Sequence, residues 1–413
     1  MRHTMILGLT LVLGLAGCSG KWDPVTPPEG LDDTVAFGIS LENSKSGIAA
    51  GIDLAPPGNQ NGGPAGLLLQ QADGEWSRVE VPNLSDDWAL YSAEALDDGQ
   101  AWLGGGSFVL DLSDMKSTKD QEEFKAALEA DLAGVSDPAE IEARVAAFEE
   151  AVAADAEKLA VDKKKPLTGA VTLFRGPDGT IDIVDNSIAT PVWSLSTQGP
   201  ADGRFATPYG VSQLAGGAWS SEDLLADLPT VHDIVFLSED EGWAVGSDGD
   251  GSEGGAVHWA DSAWTAAALP DVEGNWELFS VSFPDAAHGW AVGQSADLAT
   301  GLRRGVALAC ASGTWSELEL PEVSESWYLQ AVCFVSSREG WAAGHDITGK
   351  RGVLLHYSRG KWTEEPISVT DSADWTLTGL CLTDGKNGWA VGYDNTNAKL
   401  LLLKRTQAAP ERR

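Results

Sequence analysis

Four tryptophans, Trp88, Trp276, Trp327 and Trp375, are the residues whose type and spacing best suit recognition. Each closes a short polar loop (LSDDW, EGNW, SESW and SADW), and each stands 14 residues before a second tryptophan, at 102, 290, 341 and 389. A broad ring beside acids can stack on a sugar or a peptide side chain, or hold a cation on its π face. The same recurrence fits rings that pack one repeat on the next, the commoner fate of aromatics in strands. A second candidate is SDGDGSEGG (247–255), where Asp248, Asp250 and Ser252 alternate like the opening of a calcium loop. Its sixth position is Glu253 where such loops need Gly, and its twelfth is Trp259 where they need a bidentate Glu. A solvated acidic turn is expected there, so no cofactor is expected, and calcium at Asp248 and Asp250 is the one weak possibility.

Hydrolytic chemistry has fewer footholds. His232, His258, His288, His345 and His356 form no HExxH pair and no triad-like grouping, and His258 and His356 share one repeat position. A sialidase-type site needs clustered arginines and a Tyr/Glu nucleophile pair. The 12 arginines beyond residue 17 fall at unrelated positions, and the chain has only 5 Tyr. Among 62 Asp and Glu, nothing marks two as an acid and base flanking a glycosidic bond. We therefore expect a binding or scaffold protein and no enzyme. A carbohydrate-active enzyme of glycosidase or sialidase type is the rival.

Cys18 offers a different chemistry. Residues 1–17 begin with Arg2 and His3 and continue as MILGLTLVLGLAG, an apolar run shorter than the roughly 20 residues a permanent membrane helix needs. The run ends in Leu15-Ala16-Gly17-Cys18, which resembles the lipobox of bacterial lipoproteins, with Cys18 as the acylated thiol. The expectation is a lipid-anchored, extracytoplasmic protein of the cell envelope, on the outer membrane if the cell is Gram-negative. Removing residues 1–17 takes away Arg2 and no acid, leaving 26 bases against 62 acids, a net charge of −36. Such a body repels nucleic acid and favours cationic partners. Cys310, Cys333 and Cys381 remain, the last two at one repeat position in apolar strands (QAVCFV and TGLCLT). They read as buried free thiols, with a disulfide the lesser alternative, and without a CxxC or Cys/His cluster a metal site is not expected.

These residues are positioned by a repeat. Gly-Trp pairs recur at 242/243, 289/290, 340/341 and 388/389, and four short strands can be read around each, as in a β-propeller blade. Fainter copies upstream bring the second-strand anchors to seven: Ile48, Trp102, Phe205, Trp243, Trp290, Trp341 and Trp389. Fourth-strand anchors number six, Trp76, Ile181, Trp219, Trp264, Trp315 and Trp362, because the last copy stops at AKLLLLKRT. SGKWDPVTPP (19–28) resembles SRGKWTEEPI (358–367), so Trp22 supplies the seventh. The expected fold is all-β, a seven-bladed β-propeller over 18–404 in which an N-terminal strand at 19–28 closes the last blade and removes two sheet edges. Residues 405–413 are expected to be a flexible tail. Residues 113–163 have helical composition, with Ile141, Val145, Phe148, Val152 and Leu159 on one stripe and Asp137-Pro138-Ala139-Glu140 as a start signal. They read as an α-helical hairpin inserted between the second and third strands of blade 2.

The GWAVG and GxW elements, with ADGEW (72–76) and SGTW (312–315) as degenerate Asp boxes, resemble the BNR/sialidase-type repeats of the photosystem II assembly-factor-like propeller family. The resemblance runs over about residues 19–404 apart from the insert. It implies a propeller with a chaperone-like, protein-binding role. The partners expected are the membrane through the N-terminal lipid and an envelope protein or glycan, with the chain acting as a monomer.

Overall fold

The computed structural model describes residues 20–56, 64–82, 84, 87–107, 169–184, 190–208, 210–215, 218–222, 228–249, 251–367, 369 and 371–407. They form seven four-stranded antiparallel sheets, the blades of a seven-bladed β-propeller. The innermost strands are Thr34–Asn43, Trp88–Ala95, Ser194–Thr197, Thr230–Ser238, Asn275–Asp285, Trp327–Ser336 and Trp375–Leu382, for blades 1 to 7. In blades 1 to 6 the chain runs outward strand by strand. In blade 7 the fourth strand is Gly20–Val25, paired antiparallel to Lys399–Gln407 with Trp22 opposite Arg405. Trp76 of blade 1 meets Trp389 of blade 7 edge-on at 5.4 Å, which completes the ring. Arg405, at 3% exposure, lies 4.4 Å from the Trp341 ring and pairs with Glu365 at 3.0 Å. The expectation of a tail from residue 405 is therefore corrected: the last strand runs to Gln407, anchored by that buried guanidinium.

The GWAVG motif acquires two physical reasons. Its Trp fills the seam to the next blade: Trp243 stacks on Phe283 at 5.1 Å and Trp290 on Phe334 at 3.7 Å. Its first Gly leaves room for an aromatic of the same blade, Phe236 over Gly242 and Phe334 over Gly340. Its second Gly (Gly246, Gly293, Gly344 and Gly392) faces a main-chain carbonyl of the inner strand, where any Cβ would overlap it. Gly51 and Gly105 do the same in blades 1 and 2. Relieved of a side chain there, each of these six inner strands carries one extra residue, a β-bulge, at the same level.

Inner strands leave one edge unpaired toward the neighbouring blade, and buried donors need partners. Side chains of adjacent blades supply them. Ser40 Oγ accepts from Ala95 N (3.0 Å), Glu94 Oε2 from Thr197 N (2.6 Å) and Ser196 Oγ from Phe236 N (3.0 Å). Ser282 Oγ accepts from Phe334 N (2.9 Å) and Cys333 Sγ from Leu382 N (3.3 Å). The Leu41 amide donates to Cys381 and so closes the circuit from blade 7 to blade 1.

The helical hairpin expected at 113–163 lies outside the described residues. The ladder flanking it is closed: Gly106 pairs with Ala170, and Ser107 N donates to Gly169 O at 3.1 Å. Among the described residues there is no α-helix, only a 3-10 turn at Asp97–Gly99.

Candidate functional site

The bulges decide what faces the channel. The extra residues are Phe37, Tyr91, His232, Phe279, Gln330 and Thr378. In blade 3 the equivalent place is held by Trp193, whose amide donates to Ala206 O at 2.9 Å just before the strand begins. All seven are half-buried and line one central cavity of about 640 Å³. Blades 1 to 5 thus contribute an arc of five rings. Phe37 and Tyr91 lie 5.7 Å apart, Trp193 and His232 5.4 Å, and His232 and Phe279 5.4 Å. The His232 ring is fixed by Nδ1–H donating to Leu278 O at 3.0 Å.

Blades 6 and 7 complete the wall with polar groups, Gln330, Tyr328 and Thr378, joined at the rim by Gln294 and Arg303 of blade 5. Arg303 donates to Gln294 Oε1 at 3.3 Å and lies 6.0 Å from the Tyr328 ring. It is the one Lys or Arg on the described cavity wall. Burial raises the Tyr328 hydroxyl, partly offset by Arg303, and pushes Tyr91 up to about 12, so both remain neutral donors at ordinary pH. The described wall has one carboxylate, Asp233. Burial raises it, and Ser194 Oγ (2.6 Å), Ile234 N (2.9 Å) and Val281 N (2.8 Å) all donate to it, so it ties blades 3, 4 and 5 together. Below this level, burial lifts Glu94 to about 7.

The tryptophans expected to form a recognition surface lie elsewhere. Trp88, Trp276, Trp327 and Trp375 are 1, 3, 5 and 5% exposed. Each ring is pressed on a third-strand glycine of the preceding blade: Gly66, Gly254, Gly305 and Gly352. They are seam residues with no free face, which corrects the expectation of a ligand platform at those positions. Three residues further along the same strands stand Tyr91, Phe279, Gln330 and Thr378, which do face the cavity. That constant offset was a usable signal, but the varied residue types there hid it.

Asp248 accepts hydrogen bonds from Ser252 N (2.7 Å), Ser252 Oγ (2.6 Å) and Glu253 N (3.1 Å), the pattern of a self-capped turn. Asp250 and Cys18 lie outside the described residues. Among the described residues no three His, Cys, Asp or Glu groups converge as metal ligands. Cys310, Cys333 and Cys381 are free thiols.

No family model matches the chain, and no curated protein matches it. Solved structures do. YCF48 from Cyanidioschyzon merolae is 14% identical with a TM-score of 0.56, covering 94% of this chain and 99% of that one. YCF48 bound to D1 peptide is 12% identical, with a TM-score of 0.54 and coverage of 94% and 97%. The GH74 xyloglucanase from Xanthomonas campestris is 12% identical, with a TM-score of 0.55 and coverage of 95% and 55%. At these identities the likeness is one of fold, and the fold hosts both a protein solved with a bound peptide and a xyloglucanase.

Proposed function

We propose that this propeller is an extracytoplasmic binding or assembly scaffold that holds a segment of a partner protein in its channel mouth. The observation that carries this reading is the bulge-residue wall, five rings facing a sector of uncharged polar groups with Arg303 at its rim. An apolar side chain would fill the aromatic arc, and its backbone amides would meet Gln330, Tyr328 and Thr378. A neighbour in fold, YCF48, has been solved with a D1 peptide, which supports peptide binding as a use of this frame. Asp233, the one carboxylate on the described wall, is already bonded through both oxygens, whereas glycoside hydrolysis takes two carboxyl groups.

Lipidation at Cys18 would anchor the ring with a defined orientation. Gly20 pairs with Gln407, at the end of blade 7 opposite the 394–399 turn. Two residues of chain span at most about 7 Å, so the acyl group would hold that far rim against the bilayer. The mouth would then face away from the membrane.

The test is a photo-cross-linking residue placed at Gln330 and, as control, at the exposed outer-strand Lys361. The reading expects adducts from position 330 that map to one contiguous partner segment and are competed by a synthetic peptide of that segment. Identical adducts at both positions, or oligosaccharide cleavage by the purified chain, would overturn it.

A further inference from the structure

Two of the side chains that close the inner-strand circuit are thiols, and they are neighbours. Cys333 and Cys381 occupy the same level of blades 6 and 7, where blades 1, 3 and 5 carry Ser40, Ser196 and Ser282. The two thiols interact across the seam between the blades. Their mutual position is fixed from both sides. Leu382, the residue after Cys381, donates its amide to Cys333 Sγ at 3.3 Å, and the Leu41 amide donates to Cys381. Both cysteines are half-buried, whereas Cys310 is buried in a different seam beside Trp243 and Trp315.

From this geometry we infer that Cys333 and Cys381 form a reversible disulfide that staples blade 6 to blade 7. Cys381 is the attacking sulfur. The neighbouring thiol of Cys333 favours its thiolate, while the proton stays on Cys333. The thiolate displaces one thiolate from a disulfide oxidant, such as oxidised glutathione or a protein disulfide, and forms a mixed disulfide. Cys333 then loses its proton and attacks Cys381 Sγ, expelling the second thiolate. The pair gives up two electrons and two protons, and the oxidant leaves as two thiols.

The location makes the bond consequential. Blade 7 is the only blade assembled from both ends of the described chain: Gly20–Val25 pairs there with Lys399–Gln407 and seats Trp22 in the seam to blade 6. A link between cysteines 48 positions apart restrains the unfolded chain and fastens this composite blade to its neighbour.

The experiment equilibrates the folded chain from residue 19 onward in glutathione redox buffers, quenches with acid, alkylates free thiols in denaturant and maps the non-reduced digest by mass spectrometry. The expected result is one linked peptide pair, Cys333 with Cys381, with Cys310 alkylated throughout and a thermal midpoint raised by about 5 °C in the oxidised form. Cys333→Ser and Cys381→Ser should each fold, since serine is the native residue at this level in blades 1, 3 and 5. In each variant the midpoint should no longer respond to the oxidant. Full alkylation of all three thiols under oxidising conditions would overturn the inference. So would a midpoint shift that persists in both serine variants.

Discussion

Seams and channel wall draw on the same strands, three residues apart, and obey opposite rules. Along the seams the sequence repeats itself: Trp over Gly at the start of the inner strand, and Trp against Phe further along. Around the wall it varies at every step, from Phe37 and Tyr91 through Trp193, His232 and Phe279 to Gln330 and Thr378. A seam must solve one packing problem several times, so one solution recurs. The wall is free of that constraint because each bulge lifts its residue off the sheet. Repetition in this chain therefore marks what holds the ring together, and variation at a fixed repeat position marks what the ring presents.

The largest test of that contrast is Trp341→Ala. The ring is fully buried, stacked on His356 at 4.5 Å and under Arg405, so its loss should cost about 4 kcal/mol in chemical unfolding. Gly352→Ala probes the same seam from the other side. A methyl there meets the Trp375 ring, and about 1–3 kcal/mol should be lost.

Glu94 adds a pH signature to the inner-strand circuit. Its folded value of about 7 exceeds the ordinary 4.5, so the folded state holds the extra proton between those values. Stability from this group is full below about pH 4.5 and falls as pH rises toward 7, by up to about 3 kcal/mol. Glu94→Gln still offers an oxygen to Thr197 N. It should match the parent in unfolding titrations at pH 4.5 and exceed it at pH 8. An unchanged pH slope would separate Glu94 from that role.

The wall should behave otherwise. Phe279→Ala should weaken partner binding about tenfold while changing unfolding free energy by less than about 1 kcal/mol. Smallest of all, Arg303→Gln at the rim should leave stability unchanged and weaken binding of the partner segment about threefold. A wall variant that unfolds the ring, or a seam variant that spares it, would break the contrast.

The ring itself was legible because its seams repeat. Seven second-strand anchors could be counted, with Ile48 in place of Trp opposite Ser40; in blade 3 the expected anchor is corrected by one residue, since Arg204 stands opposite Ser196 and 4.1 Å from the Phe236 ring, while Phe205 packs with Trp102 of blade 2. The wall was not legible, because the bulges accompany a close main-chain approach that Gly246 or Gly293 permits by lacking a Cβ, which no hydrophobic pattern encodes. The tryptophans looked like a platform since burial between blades depends on glycines of the preceding blade, 22 or 23 residues upstream. The role of Cys333 and Cys381 was hidden likewise: the sequence gives them a common repeat position but not their contact across adjacent blades.

The most direct test of the central claim is a binding titration of the cross-linked partner segment against the parent chain and against Tyr91→Ala/Trp193→Ala/Phe279→Ala combined. The account predicts a loss of affinity of about 30-fold or more with a midpoint of thermal unfolding near the parent's. Parental affinity in the triple variant would contradict it.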